Sequence, residues 1–145
     1  MTVALIRVAF VCVQNAGRSQ MAHAFAEREG EERGTGEGIE FLTGGTDPAD
    51  HVHPEVVEVM AEVSVDLAER TPRAITPEEI ERCDVVVTMG CSADDVCPAT
   101  WRGDSRDWAL DDPKGQDLDA VRAIRDEIES RVGGLFDELE VGPRV

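Results

Sequence analysis

The chain has 145 residues and a formal net charge of −17, with 31 acidic residues against 14 basic ones, of which Lys114 is the single lysine. That length suits one domain, residues 1–145, with a substantial hydrophobic core, and so large an acidic excess argues against nucleic acid as a partner. The acids are spread along the chain instead of gathered in a tail. Such a surface is one that a salt-rich cytoplasm screens, and the expected source is a halophile.

The N-terminal run MTVALIRVAFVCV is apolar but interrupted by Arg7 and too short to span a bilayer, so a cytoplasmic protein without membrane attachment is expected. Residues 4–12, LIRVAFVCV, read as a central parallel strand, apolar on both faces. The strand leads into C-x5-R-S: Cys12, then Val13, Gln14, Asn15, Ala16 and Gly17, then Arg18 and Ser19. Five intervening residues are enough to wrap a loop around a tetrahedral oxyanion with successive N–H groups pointing inward. The helix that follows adds the positive end of its dipole. Amide dipoles and a guanidinium favour a thiolate, which makes Cys12 the candidate nucleophile. Arg18 offers a planar fork to two oxyanion oxygens. A cysteine at a strand end is usually a small buried hydrophobe, but the strand-to-helix switch and the capping Ser19 favour the anion loop here.

Residues 18–30 carry Met21, Ala22, Phe25 and Ala26 at helical spacing, with Gly30 as the expected stop and His23 on the helix surface. EGEERGTGEG is a surface loop, and residues 39–43, IEFLT, make a second strand. After the turn GGTDPADHVHP, Pro54 starts a helix through Ala61 that turns Val56, Val57 and Met60 inward. His51 and His53 lack matching acid or cysteine spacing nearby, so backbone contacts in a turn are expected of them, and no metal site. Thr76, Pro77, Glu78 and Glu79 mark another helix start. DVVVTMG, residues 84–90, is the third strand, with Cys83 at its entrance as a packing residue. Residues 91–115 show little periodicity, and a loop of that length is usually functional. A long amphipathic helix, Gln116 to Leu139, closes the chain with Leu118, Val121, Ile124, Ile128, Val132, Leu135 and Leu139 on one side.

Strands alternating with helices imply a parallel sheet with right-handed crossovers. In such a sheet the strand C-termini share one edge, where ligands bind, so Cys12 and the loop after Gly90 belong together. That loop contains Cys91 and Cys97. Four cysteines are too few for a secreted disulfide scaffold, but Cys91 and Cys97 are near enough in sequence to pair. A thiolate attacking an oxyanion needs an acid for the departing oxygen. Asp111 and Asp112, before Pro113, are the candidates, because neighbouring carboxylates facing an anion favour the protonated form.

C-V-Q-N-A-G-R-S-Q-M-A, G-T-D-P-A with V-H-P, V-V-T-M-G-C, and D-W-x-L-D-D-P-x-G followed by I-R-D-E-I resemble, in that order and over nearly the whole chain, the arsenate reductases built on the low-molecular-weight tyrosine phosphatase fold. The resemblance implies an α/β, flavodoxin-like three-layer sandwich with a four-stranded parallel sheet. It implies Cys12 as nucleophile, Val13 to Arg18 as oxyanion cradle, Ser19 bonded to the thiolate, Asn15 holding the loop and Asp112 as general acid. In the reductase branch a cysteine equivalent to Cys91 attacks the first adduct, and one equivalent to Cys97 closes a disulfide. A thioredoxin-type protein or a low-molecular-weight thiol then restores the thiols, and no cofactor stays bound. Thioredoxin-coupled members commonly carry a second cysteine where this chain has Gly17. The A-G-R-S-Q-M and T-M-G-C forms look more like members served by a small thiol.

The implied function is reduction of arsenate to arsenite, with Cys91 and Cys97 favouring it over the alternative, hydrolysis of phosphotyrosine through a cysteinyl phosphate. Tyrosine-specific members usually have aromatic residues after the Asp-Pro, where Lys114 and Gly115 stand; Trp101 and Trp108 are either substitutes or packing anchors. A non-catalytic oxyanion sensor would keep Cys12 and Arg18 but leave the other thiols idle.

Overall fold

The computed structural model describes residues 6–34, 38–90, 96–97, 101 and 103–140. At its centre is β1 (Ile6–Cys12), whose Val8, Ala9, Phe10 and Val11 have no solvent exposure on either face. After it come α1 (Arg18–Arg33), β2 (Ile39–Gly45), α2 (Pro54–Ala61), α3 (Pro77–Glu81), β3 (Val85–Met89), β4 (Asp104–Asp107) and α4 (Leu118–Glu140). The strands lie in the order β2-β1-β3-β4, and every pair is parallel. Cys12 is in register with Gly45 on one side and Met89 on the other, so the last residues of three strands meet at one edge. Because β2 and β3 flank β1 on opposite sides, the chain switches direction there, and ligands of parallel sheets enter at such a point.

Alternation along β1 divides the core into two layers. Val8, Phe10 and Cys12 face α1, α2 and α4, among Met21, Phe25, Val56, Met60, Ile128 and Phe136. Phe10 stacks on Phe41 with ring centroids 5.7 Å apart and meets Trp108 at 5.9 Å. Ala9 and Val11 face the thinner second layer, with Ile80 of α3, Cys83, Val86, Cys97 and Trp101. In α4, Val121, Ile124, Ile128, Val132 and Leu135 are buried at intervals of three or four residues, as its periodicity predicts. Each such side chain contributes about 2 kcal/mol of transfer free energy. Thr76 and Glu79 form a reciprocal capping box that starts α3.

Three expectations are corrected. The residue pattern gave three strands, and the fourth is β4, whose sequence DSRD has no apolar alternation because it is an exposed strand at the edge of the sheet, paired among the described residues with β3 alone. Its charge discourages pairing with another chain, and Arg106 ties it to Asp104 and to Glu138 of α4. Gly30 does not end α1, because it is buried inside the helix. The stop is Gly34, at φ 70°, whose N–H caps the carbonyls of Glu31 and Gly30. His23 is likewise not a free surface residue: its imidazole lies 3.0 Å from an Arg70 nitrogen and 3.4 Å from the Phe41 carbonyl oxygen. Burial pushes its pKa below the ordinary histidine value. Among the described residues no helix is long and apolar enough to cross a membrane.

Candidate active site

The loop from Cys12 to Arg18 wraps a pocket of about 300 Å³ lined by Cys12, Val13, Gln14, Ala16, Gly17, Arg18, His53, Gly90, Asp112 and Lys114. Its shape is imposed from outside. The N–H groups of Thr46, Asp47, Ala49 and His53 donate to the carbonyls of Cys12, Val13, Gln14 and Ala16 at 2.8 to 3.2 Å. Among the described residues no peptide bond is cis. A trans peptide holds its N–H opposite its C=O, so the amides of Val13, Gln14, Asn15 and Gly17 turn away from the 46–53 segment. The Asn15 N–H reaches the Cys12 sulfur at 3.2 Å, as that geometry requires.

Cys12 is 3% exposed and lines this pocket, its sulfur 2.8 Å from Ser19 Oγ. Asn15 holds the turn at φ 53°, a left-handed conformation that asparagine tolerates better than most residues. Its amide is bonded on both sides: Nδ2 donates to Ser19 Oγ at 2.7 Å and Thr43 Oγ1 at 2.9 Å. Oδ1 accepts from Gln20 Nε2 at 3.1 Å and from the Arg73 backbone N–H at 3.0 Å. Thr43 in turn donates to the Phe10 carbonyl at 3.0 Å. The nucleophile loop is thus tied to β1, β2, α1 and the segment before α3.

Arg18 has a side chain 11% exposed; Nη1 donates to the Leu110 carbonyl at 2.9 Å, and Nη2 lies 4.0 Å from Asp112 Oδ2. Gly90, at φ 83°, lets the guanidinium lie against the end of β3: a Cβ there would come within 2.6 Å of both terminal nitrogens. Asp112 closes the other wall, its side chain 56% exposed and its Oδ1 accepting from the Lys114 backbone N–H at 3.0 Å. Asp111 lies outside this pocket, against α4 and Gly90.

Residues named from the sequence fall in different places. Cys12, Val13, Gln14, Ala16, Gly17, Arg18 and Asp112 line one cavity, with Asn15 and Ser19 buried behind the sulfur. Cys97 is half-buried against the second core layer, on the other face of the sheet from the Cys12 side chain. Cys91 lies outside the described residues. Cys83 is buried, with its thiol on the Glu79 carbonyl, and burial pushes its pKa up to about 11. His53 and Gly90 were not singled out for this pocket. The V-H-P and M-G-C motifs held the signal, a histidine at a helix entrance and a glycine at a strand end. Burial lowers the pKa of His53, against the raising influence of Glu55 and Asp112. Among the described residues no group of three or more His, Cys, Asp or Glu side chains is placed to hold a metal.

The family described as "Low molecular weight phosphotyrosine protein phosphatase" matches residues 7–142. The chain belongs to this family. Among its phosphatase-family relatives, a protein of Halobacterium salinarum named "Putative arsenate reductase" is 62% identical over 130 residues, 90% of each chain. The glutaredoxin arsenate reductase of Synechocystis is 33% identical over 136 residues, 92% of this chain and 98% of that one. The solved structure of a thioredoxin-dependent arsenate reductase from Corynebacterium glutamicum superposes with a TM-score of 0.79 at 32% identity, over 99% of this chain and 66% of that one. The low molecular weight phosphatase fold therefore accounts for the parallel sheet and for the position of the C-x5-R-S loop at its carboxyl edge.

Proposed function

We propose that this chain is an arsenate reductase in which Cys12 is the nucleophile. The observation that carries this reading is a pocket lined by Cys12, the loop that follows it, Arg18 and Asp112, with no phenyl or indole ring among its described lining residues. Such a site suits a bare oxyanion. The two tryptophans are engaged elsewhere: Trp108 against Phe10, and Trp101 donating to the Cys83 carbonyl at 2.9 Å. The phosphotyrosine alternative needs a surface for an aryl ring, and the described lining offers none.

In the proposed reaction the Cys12 thiolate attacks arsenic(V) held by the loop amides and Arg18. Asp112 gives its proton to a leaving oxygen, and water departs as the S–As bond forms. A second thiolate then attacks the Cys12 sulfur. The S–As bond breaks, its electron pair stays on arsenic, arsenite leaves, and a disulfide remains. The balance is one arsenate and two thiols to one arsenite, one disulfide and one water. Cys91 is the proposed second thiol and Cys97 the third. For Cys97 to meet a sulfur at the pocket, it has to leave the second core layer, so relay closure and movement of its segment go together. Relatives that are glutaredoxin- or thioredoxin-dependent support a thiol reductant; with Gly17 in the loop, a low-molecular-weight thiol or glutaredoxin-type partner is the preferred one. The acidic surface and the Halobacterium relative support a salt-rich cytoplasm as its setting.

The test is to supply arsenate or 4-nitrophenyl phosphate with thioredoxin, glutaredoxin and glutathione, or a small thiol, and to measure arsenite and phosphate. Arsenite release abolished by Cys12→Ser, stalled at the Cys12 adduct by Cys91→Ser and stopped after one arsenite per chain by Cys97→Ser is expected. Rapid phosphate release indifferent to Cys91 and Cys97, with no arsenite, would establish the phosphatase instead.

A further inference from the structure

Lys114 is the single lysine in a chain whose other 13 cations are arginines. The arginines are largely committed to carboxylates: Arg7 to Glu40, Arg28 to Glu129, Arg73 to Glu79, Arg122 to Glu62 and Arg131 to Glu127. Lys114 differs. Although the chain has 31 acids, none of those described lies within 4.0 Å of its ammonium group; Lys114 is one of the residues lining the Cys12 pocket, and its charge acts on His53 of the same lining. Its backbone is fixed, the N–H donating to Asp112 Oδ1 at 3.0 Å, and the next N–H, of Gly115, lies 3.4 Å from Glu55 Oε2. The backbone is therefore anchored while the charge on its side chain stays available.

We propose that Lys114 is a specificity-determining residue that contacts the outward oxygen of a free tetrahedral oxyanion and so selects arsenate over organic phosphate esters. A tetrahedral anion seated on the loop amides and Arg18 presents three oxygens to the cradle and a fourth to the mouth. In a free oxyanion that fourth oxygen shares the negative charge, which an ammonium group stabilises. In an ester it carries the organic group, which gains nothing from a hydrated cation. A lysine suits this place better than an arginine locked to a carboxylate, since its ammonium group is a mobile point charge on a flexible stem. This assignment rests on the oxyanion reading of the Cys12 pocket.

Binding measured by calorimetry in the Cys12→Ser chain, where no turnover intervenes, tests it with arsenate, inorganic phosphate and phenyl phosphate. Lys114→Met is expected to weaken arsenate and phosphate about fivefold at low salt and phenyl phosphate less than twofold. Lys114→Arg should restore most of the loss, and molar KCl should shrink it, because screening acts on charge and not on packing. Equal weakening of all three ligands, no weakening, or a loss independent of KCl overturns the assignment. Absence of arsenite release by the chain with native Cys12, under every thiol tried, would remove the reductase reading while leaving these binding ratios to decide the role of Lys114.

Discussion

Pro113 lies directly over Gly17: a Cβ built on Gly17 would sit 2.8 Å from Pro113 Cγ. The proline is rigid, and Asp112 precedes it, so the contact sets how far the Asp112 carboxyl stands from Arg18. Gly17→Ala is expected to push Pro113 outward, carry Asp112 off the pocket wall and lower kcat about tenfold, as loss of a positioned acid does. Steady-state kinetics check this, with urea unfolding expected to show a loss of about 1–3 kcal/mol, the range for adding a methyl group at a packed buried site.

Gly90 holds a left-handed backbone against the Arg18 guanidinium. Gly90→Ala costs about 1 kcal/mol in backbone conformation, and its methyl group displaces the guanidinium from the oxyanion site. The expected result is an arsenate KM raised at least about tenfold, since a charged hydrogen bond is worth about 1.5–3 kcal/mol. A variant with unchanged KM would show that Arg18 does not need this backing.

Asn15 is the junction of the buried polar network, with partners on Ser19, Thr43, Gln20 and Arg73. Asn15→Ala strands those groups without water to replace it, and destabilisation of about 2–4 kcal/mol is expected from urea denaturation. Thr43→Val removes fewer partners and should cost about 1 kcal/mol.

Glu62 ends α2 and binds Arg122 and Arg125 of α4. The Arg122 hydrogen bonds, then those of Arg125, hold its pKa at about 2, below its ordinary value of 4.5. A carboxyl that binds its proton less readily when folded adds stability above the unfolded pKa and loses it as the pH falls. The difference in Tm between the native chain and Glu62→Gln should therefore be positive at pH 6 and vanish between pH 4.5 and about 2. Molar KCl should also shrink that difference, because the pair is solvent-exposed. The native chain itself should respond oppositely, its Tm rising with KCl as self-repulsion from a net charge of −17 is screened. Equal midpoints at low and molar KCl would remove the halophilic reading.

The alternation of β1, α1, β2, α2 and β3 was readable because buried parallel strands are continuous apolar runs and surface helices carry a stripe, and both patterns survive in LIRVAFVCV and in the spacing of Val121 to Leu135. The strand β4 was not, because an edge strand has no inner and outer face for its side chains to report. The C-x5-R-S motif pointed to the pocket because its residues are consecutive. His53 and Gly90 come from other strand ends and act through spatial proximity, and a single histidine or glycine has too many ordinary uses for its type to reveal the place. Cys97 shows the reverse case. Its sequence neighbourhood pairs it with Cys91, while its packing puts it beneath the sheet.

The carbonyls of Cys12, Val13, Gln14 and Ala16 are held by N–H groups of residues 46–53, and the Asn15 side chain by Arg73. The octapeptide from Cys12 to Ser19 is consequently not a portable unit. Transplanted onto another scaffold without β2, its following turn and the stretch entering α3, it would lose the external mould that faces its amides inward, and the transplant would carry a cysteine without its chemistry.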